Sequence, residues 1–197
     1  MGRLFMEDKV FSRKEFFREG LFSILKPLAA MIEDKVETRV SRNFLRPPGA
    51  VDEITFLTSC ARCPHCADVC PREAIKIGST SDGIAVGTPY IDPYDAPCTL
   101  CDDLLCIKAC PTDALNKNTK KEGVRMGLAV IDYESCLARQ GMMCEECFTS
   151  CPLRGEAIYM DGFSGPVIND GKCVGCGVCA FSCISKPNSI KIIPAKR

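Results

Sequence analysis

Cys60-Ala61-Arg62-Cys63-Pro64-His65-Cys66-Ala67-Asp68-Val69-Cys70-Pro71 is the stretch on which the reading of this chain turns. Three cysteines follow one another at C-x2-C-x2-C spacing, a fourth comes after a C-x3-C step, and a proline follows at once. The first three can curl around one centre, leaving the N–H groups of the loop free to point at sulfur. The longer step begins a helix, so the fourth thiol faces away from that centre. The same ending returns along the chain as Cys106/Cys110, Cys147/Cys151 and Cys179/Cys183, with Pro111 and Pro152 after two of them. The first cysteines of the groups, Cys60, Cys98, Cys136 and Cys173, lie 38, 38 and 37 residues apart. A fixed period of this kind indicates duplication of one structural unit.

The four groups are variations on one pattern. Cys173-Cys176-Cys179-Cys183 keeps the spacing of the first group, with Ile184 in place of the proline and with Gly175 and Gly177 suited to close backbone approach. Cys98-Cys101-Cys106-Cys110 widens the second gap, and Cys136-Cys144-Cys147-Cys151 widens the first. Short apolar runs flank them. Ala74–Ile77, Ala157–Met160 and Ser189–Ile192 follow cysteine groups, while Pro89–Asp92, Leu128–Asp132 and Pro166–Asn169 precede them. The predicted unit is strand, cysteine loop, short helix, strand.

Sixteen cysteines among 197 residues is roughly 8%, the edge of the range that marks a cysteine-built scaffold. Eight disulfides would suit a secreted protein, but thiols this close together cannot all find outside partners without strain. Structural zinc would suit paired C-x2-C knuckles, but it gives the third and fourth cysteines and the proline no task. The run C-x2-C-x2-C-x3-C-P is the signature of two-cluster bacterial ferredoxins, in which the fourth cysteine ligates the other cluster. Sixteen thiolates fill four [4Fe–4S] clusters with none left over. The chain has 25 Lys+Arg and 25 Asp+Glu, so formal charge gives no pull toward nucleic acid. Each cluster with its thiolates carries about −2, so the loaded protein gains roughly −8 and is acidic.

With these residues in hand, the sequence resembles the MauM/NapG group of ferredoxin-type proteins from Arg46 onward. The marks are Arg46-Pro47-Pro48-Gly49-Ala50, Gly87-Thr88-Pro89, Arg125-Met126-Gly127-Leu128-Ala129 and the C-x7-C gap between Cys136 and Cys144. The resemblance implies electron delivery of the kind associated with nitrate reduction and amine oxidation. The second group also looks like one in the four-cluster subunits of molybdenum and tungsten oxidoreductases. Two ways of pairing the groups remain open on spacing alone. Sequential pairing gives Cys110 to the cluster of Cys60, Cys63 and Cys66. Nested pairing gives that place to Cys183, and analogy with the oxidoreductase subunits favours it.

The first 49 residues are read as an N-terminal helical arm and Pro-rich linker, and residues 50–197 as the tandem four-cluster region. Ser12-Arg13-Lys14-Glu15-Phe16-Phe17 resembles a degenerate twin-arginine signal. Ser12 and Glu15 also form a capping box, with Phe11 and Phe16 as its staple. Phe17, Leu21, Ile24 and Leu28 then follow at helical spacing. A retained helix implies cytoplasmic residence, with periplasmic export as the alternative. Lys26 and Pro27 break the apolar stretch, so no transmembrane segment is expected.

The expected fold is therefore α+β: two bacterial-ferredoxin-like units in one chain behind a helical arm. No nucleophile with a base and no phosphate-cradling loop stands out, so the chain is expected to be non-catalytic. It reads as the wiring subunit of a catalytic oxidoreductase partner, plausibly a molybdenum or tungsten enzyme. A free four-cluster shuttle is the alternative. His65 is expected to face solvent or tune a potential. The acidic pairs Asp102-Asp103 and Glu145-Glu146 are expected on solvated loop faces, and Arg139 and Gln140 over a cluster.

Overall fold

The computed structural model describes residues 44–196; the helix, capping box and signal expected before them lie outside the described residues. Each cysteine group forms one short helix. After α1 (Glu53–Ser59), these are α2 (His65–Asp68), α3 (Leu105–Ala109), α4 (Glu146–Thr149) and α5 (Val178–Phe181). Every one of the four contains the third cysteine of its group, and the fourth cysteine falls just beyond its end. α1 starts at Asp52, whose side chain accepts the Thr55 N–H at 3.0 Å. This is the usual N-cap arrangement for an otherwise unpaired donor, and it holds the Asp52 carboxyl below its ordinary range.

Six short strands make three antiparallel pairs. β1 (Ile75–Ile77) pairs with β2 (Pro89–Ile91), and β4 (Ile158–Met160) with β5 (Pro166–Ile168). β3 (Gly127–Ile131) pairs with β6 (Ile190–Pro194), in register from Gly127 opposite Pro194 to Ile131 opposite Ile190. Along β6, Ile190 and Ile192 are buried while Lys191 and Ile193 are exposed, the two-residue alternation of a sheet with one covered face. All six apolar runs picked from the sequence are strands. The second cysteine group is followed by no strand. There the chain makes a single antiparallel bridge between Ala50 and Leu115. That bridge stands, in the first half of the chain, where β3 and β6 stand in the second.

The core is thin and shared with cysteine. Phe56, Leu100, Leu115, Val124 and Ile158 are fully covered, and they pack with Cys66, Cys106, Cys136, Cys147, Cys173, Cys176 and Cys179. So small an apolar core leaves much of the stabilisation to whatever the thiols hold.

One expectation needs correction. Residues 45–49, read as part of a linker, are built into the body. Leu45 is buried and its carbonyl accepts the Ile91 N–H at 2.8 Å. Pro47 and Pro48 are among the most deeply buried side chains. Arg46 is buried too. It holds Glu53 with two bonds, of 3.0 and 2.6 Å, and lies over the rings of Phe44 and Phe56. A run rich in proline reads as extended spacer from composition alone; here its fixed φ serves packing instead.

Candidate iron–sulfur sites

The sixteen cysteines are free thiols, and they gather into four cages of four. Cys60, Cys63, Cys66 and Cys110 line one, under Phe56, Pro89 and Leu115. Cys70, Cys98, Cys101 and Cys106 line the next, beside Pro48, Ile75 and Ile91. In the second half, Cys136, Cys144, Cys147 and Cys183 line a cage with Ile131, Pro166 and Ile190. Cys151, Cys173, Cys176 and Cys179 line the last, with Ala129, Ile158 and Ile168.

In each cage three thiols come from one group and the fourth from the end of its neighbour. Cys70 and Cys110 are exchanged between the first two groups, and Cys151 and Cys183 between the last two. This is the crossover that the C-x3-C step implied. It settles the pairing as sequential and overturns the nested order favoured by analogy. The physical reason is the strand pairing. β1 with β2, and Ala50 with Leu115, close the first two groups on each other before the chain reaches β3.

Four thiols to a cage are the ligand set that a [4Fe–4S] cubane takes. Among the described residues, no three His, Cys, Asp or Glu groups converge tightly enough to hold one metal ion. The thiols instead surround voids of about 300, 400, 340 and 360 Å³, open mouths included. Donors point inward at several of them. The Arg62 N–H lies 3.4 Å from Cys60 Sγ, and the Ala129 N–H lies 3.5 Å from Cys173 Sγ. Thr112 Oγ1 is 3.6 Å from Cys110 Sγ, and Ser185 Oγ is 3.0 Å from Cys183 Sγ.

Burial acts on the acidity of several of these thiols. It pushes Cys66 and Cys98 up to about 11, with neighbouring cysteines adding to the effect. The same desolvation carries Cys106, Cys147 and Cys176 to about 12, and Cys179 and Cys151 also rise. Cys183 is the exception. Burial raises it, but hydrogen bonds from Ser185 and Ser189 together outweigh burial and leave it lowered. In a fold without bound iron, thiols raised in this way stay protonated at neutral pH, so cluster insertion must displace their protons.

Other sequence candidates fall as follows. His65 is exposed at the start of α2. Asp103 pairs with Lys108 at 2.7 Å and Asp102 with Lys121 at 2.6 Å, both on exposed faces. Glu145 and Glu146 are exposed, as expected, and Glu146 stands at the rim of the Cys136 cage. Arg139 lies not over a cage but over the Tyr133 ring, 4.0 Å from its centre, and Gln140 donates to the Glu134 carbonyl at 2.8 Å. The hydroxyls of Ser185 and Thr112 were missed. Each stands two residues after the last cysteine of its group, a spacing the sequence displays.

Four thiolate cages on an α+β ferredoxin-like fold define an iron–sulfur protein. Residues 59–114 match the family described as the 4Fe-4S dicluster domain. The chain is 37% identical over 168 residues to the ferredoxin-type protein NapG of Escherichia coli, covering 79% of this chain and 73% of that one. It is 39% identical over 159 residues to the methylamine utilization ferredoxin-type protein MauM of Methylobacillus flagellatus, covering 76% and 68%. For MauM of Methylophilus methylotrophus the identity is 35% over 195 residues, covering 94% and 85%. The chain belongs to the NapG/MauM family of ferredoxin-type proteins.

Proposed function

We propose that the chain holds four [4Fe–4S] clusters, one in each cage, and wires a catalytic oxidoreductase of the molybdenum or tungsten kind to another one-electron carrier. The observation that carries this is the double exchange of fourth cysteines, Cys70 with Cys110 and Cys151 with Cys183. Each exchange ties two cages into one ferredoxin-like unit, and two units make the chain. A cluster, when bound, supplies a one-electron couple whose potential follows its hydrogen bonds, burial and local charge.

The protein's part is to hold, shield and tune. The sixteen thiolates anchor; the walls of Ile75, Ile91, Ile158 and Ile190 keep water out. The Arg62 and Ala129 N–H groups and the Ser185 hydroxyl favour negative charge on sulfur. No proton donor or nucleophile is required, which fits a non-catalytic subunit.

Residues 1–43, together with the exposed faces near the cages, are the proposed contacts for the catalytic partner. We place the protein in the cytoplasm; export on the segment around Arg13 and Lys14 is the alternative. Cell fractionation of the full chain separates the two.

Anaerobic purification of the tagged chain from its own host, followed by metal analysis, tests the proposal. About sixteen iron per chain is expected for four clusters. Molybdenum or tungsten rising in step with iron supports the wiring subunit, and iron alone supports a free shuttle. Zinc with little iron overturns the cluster reading.

A further inference from the structure

We propose that the two halves conduct as a single path through the contact between Cys98 and Cys176, which makes the cages of those two cysteines the inner pair and those of Cys60 and Cys136 the ends. The proposal rests on the four-cluster reading and adds an order to it. The Cys98 N–H donates to the Cys176 carbonyl at 3.1 Å. Both residues belong to cage-forming loops, one from each half, so one hydrogen bond joins the backbones of two ligands. The contact is held on both sides. A Cβ on Gly177 would come 2.4 Å from Pro93 Cβ, so the absence of a side chain lets the two loops meet. Gly177 also takes a φ of +89°, which favours glycine. On the other side, Tyr94 Oη donates to the Ile190 carbonyl at 3.4 Å.

Burial agrees with an inner place for the Cys176 cage. Cys173, Cys176 and Cys179 are all buried, which makes their cage the most enclosed of the four. A cage closed to solvent must exchange electrons through a neighbour. Within the first half, the exchange of Cys70 and Cys110 ties the Cys60 cage to the Cys98 cage, and within the second the exchange of Cys151 and Cys183 ties the Cys176 cage to that of Cys136. The chain of neighbours therefore runs from the Cys60 cage to the Cys98 cage, across to the Cys176 cage, and on to the Cys136 cage. One electron leaves a reduced one-electron carrier at one end and reaches an oxidised acceptor at the other. No bond is made or broken, and no proton need move.

Nested pairing would have placed different cages side by side, so the order is open to direct measurement. Iron anomalous scattering from crystals of the loaded, unmodified chain should show four centres in line, with those of the Cys98 and Cys176 sets adjacent in the middle. A line with either of these at an end overturns the proposal.

Spin coupling gives a second readout. A chain with Cys63→Ala and Cys144→Ala keeps the inner cages, and should retain about eight iron. When reduced, it should show a split, broadened EPR signal from two interacting centres. A chain with Cys101→Ala and Cys176→Ala keeps only the outer cages, and should show two independent signals. Splitting in the outer-cage chain without splitting in the inner-cage chain overturns the order. If these variants lose their iron, the diffraction result on the unmodified chain decides. Iron content of the unmodified chain is measured first: zinc there defeats the cluster reading, whereas sixteen iron in another order defeats only this path.

Discussion

Arg46 Nη1 donates to Thr88 Oγ1 at 2.9 Å, joining two sequence marks 42 residues apart. The same nitrogen reaches the Pro89 carbonyl at 2.8 Å, while the rest of the guanidinium grips Glu53. The entry strand, α1 and β2 are thereby pinned around the cage of Cys60, whose wall includes Phe56 and Pro89.

Replacing Arg46 with Ala removes all four bonds and leaves the buried Thr88 hydroxyl with one fewer partner. Breaking a buried, charge-assisted contact costs roughly 2–4 kcal/mol, with Glu53 at the lower end because it is partly exposed. The expected outcome is an earlier midpoint for thermal bleaching of the visible cluster absorbance. Arg46→Lys should recover little, since an ammonium cannot bond two carboxylate oxygens and Thr88 in one plane. Recovery to the unmodified midpoint would show that charge alone suffices.

Truncation should respect the edge of the body. Removal of residues 1–43 is expected to leave iron content unchanged and to weaken co-purification with the partner. Removal through Pro48 also deletes Leu45, Arg46 and a wall of the Cys98 cage, so iron should fall. Metal analysis beside pull-down of the partner checks both. Full co-purification after the shorter deletion would exclude a docking role for that segment.

Ser185 offers the clearest handle on potential. Its hydroxyl lies 3.0 Å from Cys183 Sγ and accepts the Ser189 N–H at 3.1 Å. A donor at sulfur favours the more negative, reduced state, so Ser185→Ala should make one cluster harder to reduce. One hydrogen bond is worth about 1 kcal/mol net, which bounds the shift at about 40 mV for one electron. Redox titration followed by EPR should find one component moved to more negative potential and three unchanged. A positive shift, or movement of all components, would contradict this assignment.

Much of this was legible in the residues. The C-x3-C-P steps foretold the crossover because the fourth thiol leaves its own loop, and the apolar runs foretold all six strands. What spacing could not supply was partner choice. Periods of 37 and 38 residues let Cys70 meet either neighbour, and the outcome depends on sheet closure between distant strands. The burial of Pro47 and Pro48 was hidden for a similar reason: composition describes the segment but not the surface waiting for it. Arg139 was misjudged because side-chain direction in a loop has no period to read.

The last prediction concerns Gly175, where the sequence suggested close approach and the structure supplies its object. Gly175 has a φ of +70°, and a Cβ there would lie 2.3 Å from the Gly127 carbonyl carbon. That contact sets the loop of Cys173 and Cys176 against β3, where the Val174 carbonyl accepts the Met126 N–H at 2.9 Å. Backbone cannot give way as a flexible side chain can, so Gly175→Ala must push the loop off the strand, adding about 1–3 kcal/mol of strain to the clash. Cys173 would then lose its Ala129 N–H donor, and one cage would open. Iron is expected to drop by about four per chain, with the remaining clusters intact. Gly171→Ala serves as the comparison, because its added carbon would meet only Asn169 Oδ1 at 3.5 Å. Equal iron in the two variants would mean that β3 does not hold the loop in place.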